Sequence, residues 1–198
     1  MSTPKDSRFL PDTHEVLNVS CDLVDYNMYL GDTALQEAVR REGAAFAHHD
    51  LTEFGRLTGS AAYLELGVLA NKWRPELETH DRFGHRVDLV KFHPAYHALM
   101  QTAIERGLHS SHWTNPGPGA HVARAAHFYL QSQVEAGHGC PITMTSAALP
   151  SLRTTPQLAA LWEPKITART YDSRNVPDAQ KQGLTQVGMD PVTIIRMQ

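Results

Sequence analysis

Ala120-His121-Val122-Ala123-Arg124-Ala125-Ala126-His127-Phe128-Tyr129-Leu130-Gln131-Ser132-Gln133-Val134-Glu135-Ala136 is the longest stretch of the chain with an unbroken helical period. Val122, Ala123, Ala126, Tyr129, Leu130, Gln133 and Val134 recur at three- and four-residue intervals, which places them on one side of an α-helix. That side is rich in small residues, so neighbouring helices can approach it closely. Trp113-Thr114-Asn115-Pro116-Gly117-Pro118-Gly119 precedes the stretch and reads as a loop. Gly137-His138-Gly139-Cys140-Pro141 follows it, with Gly137 suited to a left-handed helix exit and Pro141 to the start of the next helix.

The same signals continue on both sides. Pro141 opens a short helix through about Leu149. Thr155-Pro156 caps and opens the last one, with Leu158, Leu161 and Trp162 in its stripe. Upstream, Pro94 stands at a first helical position before Tyr96, Leu99, Met100, Ala103 and Ile104, and Gly107 ends that helix. Residues 78–92 change period and read as a β-hairpin turning on Asp81-Arg82-Phe83-Gly84, with Asp first and Gly fourth as a type I turn prefers. A lone hairpin is marginal and has to pack on something. Ser60 caps a helix carrying Tyr63, Leu64, Leu66, Gly67 and Ala70, closed by Pro75. A helix from about Ala45 to Leu57 precedes it, and Asp32 caps another from Thr33 to Glu42 that Gly43 stops. The expected fold is mostly α, an antiparallel helical bundle-like domain with one small β-hairpin. Its expected parts are an N-terminal arm over 1–31, the helical domain over 32–170, a polar segment over 171–189 and a tail over 190–198. The apolar spots of the arm, from Val16 to Leu30, are expected to lie on their own domain or on another subunit.

Composition narrows the function classes. The 198 residues carry a formal net charge of -3, which is no footprint for nucleic acid. No apolar run reaches the length of a membrane span, and the first ten residues lack the apolar core of a signal peptide. Cys21 and Cys140 stand far apart and follow no metal spacing, as expected of thiols in a reducing compartment. A cytoplasmic protein that touches neither nucleic acid nor membrane is expected.

The residues that bear chemistry give weak signals. His93 and His97, spaced i, i+4, share a helix face and have a zinc-site spacing, but the triplet between them is Pro-Ala-Tyr and His93 falls at the helix start. Capping and packing is the better reading. His48 and His49 are adjacent and diverge, and His109 and His112 flank a loop where they suit a surface site. Cys140 before a helix start would feel the positive end of the dipole, yet no base partners it. Pro116 to Gly119 lacks the Lys-Ser/Thr of a phosphate loop, and its prolines remove amide donors. Glu135 and Glu163 read as isolated carboxylates, and Arg40-Arg41 as a solvated face. No catalytic, cofactor-binding or metal-ligating residue is assigned.

Several segments carry a resemblance. They are Thr13-His14-Glu15-Val16, Leu35-Gln36-Glu37-Ala38-Val39, Leu64-Glu65-Leu66-Gly67, Leu69-Ala70-Asn71, Phe92-His93-Pro94-Ala95-Tyr96-His97-Ala98-Leu99-Met100 and His121-Val122-Ala123-Arg124-Ala125-Ala126. The most specific is Gln133-Val134-Glu135-Ala136-Gly137-His138-Gly139-Cys140-Pro141-Ile142-Thr143-Met144-Thr145, followed by Tyr171-Asp172 and Lys181-Gln182-Gly183. In this order they resemble the N-terminal helical domain of the AidB-like flavoproteins, a branch of the acyl-CoA dehydrogenase family. The resemblance implies FAD binding, tetramers, double-stranded DNA binding through a C-terminal region and a role in alkylation stress. It also implies that a β-domain and a C-terminal bundle follow this helical domain. After Gly188-Met189 the family pattern gives way to Asp190-Pro191-Val192-Thr193-Ile194-Ile195-Arg196-Met197-Gln198. A truncated or frameshifted product is therefore expected, with no FAD site of its own. Its expected role is structural, through self-association or a partner subunit on exposed helical surfaces. The alternatives are a free-standing protein-interaction module and, from another class, a metal enzyme built on His93 and His97.

Overall fold

The computed structural model describes residues 17–183. Within them the order is α1 (Thr33–Arg41), α2 (His48–Thr58), α3 (Ala61–Lys72), β1 (Glu76–His80), β2 (Arg86–Lys91), α4 (Pro94–Glu105), α5 (Ser111–Thr114), α6 (Ala120–Val134), α7 (Gly139–Leu152) and α8 (Pro156–Ile166). The fold is the expected one, a mostly-α bundle-like domain with one hairpin. Thr13 to Val16, residues 184–189 and the tail over 190–198 lie outside the described residues.

The central element is α6, which packs against α1, α2, α3 and α5. Ala123, Ala126 and Leu130 join Val39, Leu51 and Phe54 in one apolar cluster. Phe128 leans on a second cluster of Met100, Ala103, Ile104, Leu108 and Ile142. The buried arc differs from the expected one. Tyr129 and Gln133 face outward, whereas His127 and Gln131 are buried. Both buried polar groups find partners, so packing overrides their polarity. His127 Nδ1 lies 2.8 Å from the Ala123 carbonyl oxygen and its Nε2 lies 2.8 Å from Asp50 Oδ2.

Three helix starts form as their sequences dictate. Asp32 Oδ1 accepts from the Leu35 amide at 2.8 Å, Ser60 Oγ from Tyr63 at 3.3 Å and His93 Nδ1 from Ala95 at 3.2 Å. Caps of this kind contribute about 1 kcal/mol each. Thr155 makes no side-chain cap, and its helix starts on Pro156 alone. Ala45–Ala47 is a 3-10 turn leading into α2 rather than part of that helix. Gly137 is not left-handed; the left-handed glycines of the helix ends are Gly43, Gly107 and Gly119.

Two glycines set how closely elements meet. A Cβ on Gly67 would stand 2.2 Å from the Val134 carbonyl oxygen, so only glycine lets α3 cross the end of α6. Gly119 has φ 75°, and a Cβ there would stand 2.3 Å from the Gly43 carbonyl oxygen.

The last residues of the expected arm form a hook on α2. The Tyr26 and Met28 amides donate to the Gly59 and Gly55 carbonyls at 3.3 and 3.0 Å. Asn27 Nδ2 donates to the Thr52 carbonyl at 2.9 Å, and Asn27 Oδ1 accepts from the Tyr29 and Leu30 amides. Tyr29 is fully buried, while Leu17, Val19 and Leu23 are exposed.

The hairpin pairs Leu77 with Val90 and Glu78 with Leu89, with a register shift between Glu78 and His80. Asp81 builds the turn: its carbonyl accepts from Gly84 at 3.0 Å and its Oδ1 accepts from Phe83 and His85. Leu77, Phe83 and Val90 are exposed, so among the described residues the hairpin lacks the cover expected for it. The polar segment is anchored by Tyr171, which packs on the second cluster with its hydroxyl 2.8 Å from His97 Nδ1.

Candidate functional site

The α6–α7 turn holds the most concentrated polar chemistry of the described residues. Glu135 ends α6, and its carboxylate wraps the turn. Oε1 accepts from the Gly137 amide at 2.6 Å; Oε2 accepts from the His138 amide at 2.8 Å and from His138 Nδ1 at 2.7 Å. Both side chains are buried, at 6% and 1% exposure, so the pair is sheltered from solvent screening. The reading of Glu135 as an isolated carboxylate is thereby corrected. A three-residue spacing across a glycine turn folds the carboxylate back onto the imidazole.

The network continues inward. Gln131 Nε2 lies 2.9 Å from His138 Nε2 and 3.4 Å from the Leu99 carbonyl oxygen, and the Gln131 amide group meets the Tyr63 hydroxyl. A neighbouring carbonyl acceptor fixes the amide nitrogen on the His138 side. An amide nitrogen only donates, so His138 Nε2 accepts and its single proton sits on Nδ1, facing Glu135. His138 is therefore neutral. Burial lowers its pKa and outweighs the raising effect of Glu135. Burial pushes Glu135 up, but the His138 and Gly137 donors outweigh it and hold the carboxyl below its usual range. The turn thus carries one uncompensated negative charge.

A cavity of about 370 Å³ opens beside this turn. Trp73, Phe92, His93 and Tyr96 line it, with Glu135, His138 and Cys140 at the turn. The Trp73 and His93 rings lie nearly parallel, 13° apart with centroids 6.4 Å apart, and the Phe92 and Tyr96 rings stack at 4.3 Å. Burial, then the Glu135 charge and Cys140, push the Tyr96 phenol up to about 12. Aromatic walls, a buried carboxylate and a neutral imidazole can bind a guest, while both His138 nitrogens are already engaged.

Residues 18–173 match the family described as the adaptive response protein AidB N-terminal domain. The chain belongs to this family. It is 46% identical over 179 residues to AidB of Escherichia coli (strain K12), a relative whose name places it with the acyl-CoA dehydrogenases. That match covers 89% of the chain, which spans only 33% of the length of the relative. Among solved structures the AidB N-terminal domain seen here is similar to Caenorhabditis elegans ACDH-11 in complex with C11-CoA. The TM-score is 0.68 at 24% identity, covering 81% of this chain and 29% of the other. It is also similar to the apo form of Bd2924, with TM-score 0.68 at 25% identity, covering 77% of this chain and 32% of the other.

Other residues singled out in the sequence of this AidB domain are dispersed. His93 caps α4 and stacks on Trp73, as expected, while His97 turns to Tyr171. His48 Nδ1 meets the Tyr29 hydroxyl at 3.3 Å and His49 is exposed. The surface reading of His109 and His112 is corrected, because both are buried. His109 Nε2 donates to the Ala168 carbonyl at 3.1 Å, and His112 Nε2 lies 3.1 Å from Ser146 Oγ. Cys140 sits inside the first turn of α7 rather than before it, with Met144 Sδ 3.8 Å from its sulfur. The reading of Glu163 as isolated is corrected too, because it pairs with Arg153 at 2.5 Å, while Arg40 and Arg41 are exposed as expected. Gln131 and Tyr63 were missed, because nothing in a periodic helix marks a glutamine that will turn inward. Among the described residues no group of three or more His, Cys, Asp or Glu side chains is placed to hold a metal ion. No helix among them is long and apolar enough to cross a membrane.

Proposed function

We propose that this chain acts as the helical N-terminal part of an AidB-like, FAD-dependent protein of the acyl-CoA dehydrogenase family, with a structural and assembly role and no complete flavin site of its own. The observation that supports this reading is apolar surface left open on two separate elements. Leu158 and Leu161 of α8 are 46% and 60% exposed, and Leu77 of the hairpin is 64% exposed. Apolar faces of this kind favour association with another surface. In this reading the whole protein carries a flavin, takes part in the response to DNA alkylation and works in the cytoplasm; the likeness to AidB supports the first two. Duplex DNA is not a partner of this chain, because phosphate binding needs basic surface and the net charge is -3.

The test is an absorbance spectrum taken with light scattering on the same purified sample. A colourless protein with a mass at a multiple of 22.0 kDa is expected. Stoichiometric flavin bands near about 370 and 450 nm would overturn the structural reading. A colourless, strictly monomeric protein would remove the assembly role. A duplex shift at sub-micromolar protein and physiological salt would contradict the exclusion of DNA.

A further inference from the structure

We propose that the cavity beside the Glu135–His138 turn is a binding site for a small organic cation of the quaternary ammonium class. The walls are aromatic on more than one side: Trp73 and His93 lie nearly parallel at 6.4 Å, and Phe92 and Tyr96 stack beside them. Ring faces attract cations that shed water easily, and alkylated ammonium groups are the cations that do so. Glu135 supplies the charge at the turn. Its only partners are the Gly137 and His138 amides and the neutral His138 ring, and no Lys or Arg pairs with it among the described residues. Gln131, held by the Leu99 carbonyl, fixes the His138 tautomer and so keeps that charge uncompensated. The Lys72 ammonium stands 5.5 Å from the centroid of the Trp73 ring.

The chemistry separates this guest from a merely greasy one. Choline and its neutral carbon analogue 3,3-dimethylbutan-1-ol have nearly the same shape, and only choline carries charge. Calorimetric titration of the 198-residue chain with each compound tests the site. Choline is expected to bind about tenfold more tightly than the neutral analogue, as ring faces and a desolvated carboxylate favour a cation. Glu135→Gln is expected to cut that preference to the part the ring faces supply, a few-fold at most. Trp73→Leu is expected to weaken choline about tenfold. Equal affinity for the two compounds would reduce the cavity to an apolar hollow, and no heat from either would remove the site. Should Glu135→Gln fail to fold, Trp73→Leu still decides, because Trp73 lines the cavity and its side chain is exposed.

Discussion

His109 and His112 are buried, and the Nδ1 atom of each meets no partner among the described residues. Burial first, with the Arg124 charge nearby, lowers both to about 4. Unfolded, each would titrate near about 6.5. A depressed imidazole takes its proton only in the unfolded state, so acid favours unfolding. Stability is fully present above about pH 6.5 and falls as pH drops toward 4, on the order of 1 kcal/mol per pH unit for each group. Asp50 adds to this at lower pH. Its bond to His127 leads the causes that hold its carboxyl low, so its contribution is lost as pH falls through that lowered value. Urea unfolding at pH 5 and pH 7 checks the slope, and equal midpoints would contradict the burial of these imidazoles. Gln131→Leu leaves His138 Nε2 and the Tyr63 hydroxyl without their partner and is expected to destabilise by about 1–3 kcal/mol. Thermal or urea denaturation reads that loss directly.

At the level of elements, Gly67→Ala pushes a methyl group into the Val134 carbonyl and is expected to lower stability by about 1–3 kcal/mol. Gly67→Ala should also unsettle the α6–α7 turn, seen as faster amide exchange at Gly137 and His138. Most elements were legible because their signals are local. Asp32, Ser60 and Pro94 mark helix starts through backbone chemistry within one turn, and Asp81 to Gly84 marks its own β-turn. What was not legible depends on partners far along the chain. The burial of Gln131 rests on Tyr63, 68 residues away, and that of His109 on Ala168, 59 residues away. The same holds for the site. Glu135 and His138 were visible as residues, but their pairing appears only once the turn is folded, and the aromatic walls come from α3 and from the β2–α4 junction.

On the scale of the whole molecule, the apolar surface is unevenly spread. The clusters around α6 are closed, whereas the hairpin and α8 keep large side chains open. If these faces mediate assembly as proposed, Leu77→Lys with Leu161→Lys is expected to shift the mass in light scattering toward the monomer while leaving the helical signal unchanged. An unchanged mass would locate the contact elsewhere.

The hook of Tyr26 to Leu30 over α2 also fixes where the chain tolerates cutting. Everything between Leu17 and Leu23 can be trimmed by a protease without touching a core contact, because its large apolar side chains are exposed. A cut two or three residues past Asp25 would remove Tyr26 and Asn27, whose bonds to α2 and to the Tyr29 amide hold Tyr29 in place, and so loosen the first cluster. Limited digestion should therefore halt at a sharp boundary just before Tyr26, and a fusion partner joined ahead of Cys21 should leave the melting temperature where it was.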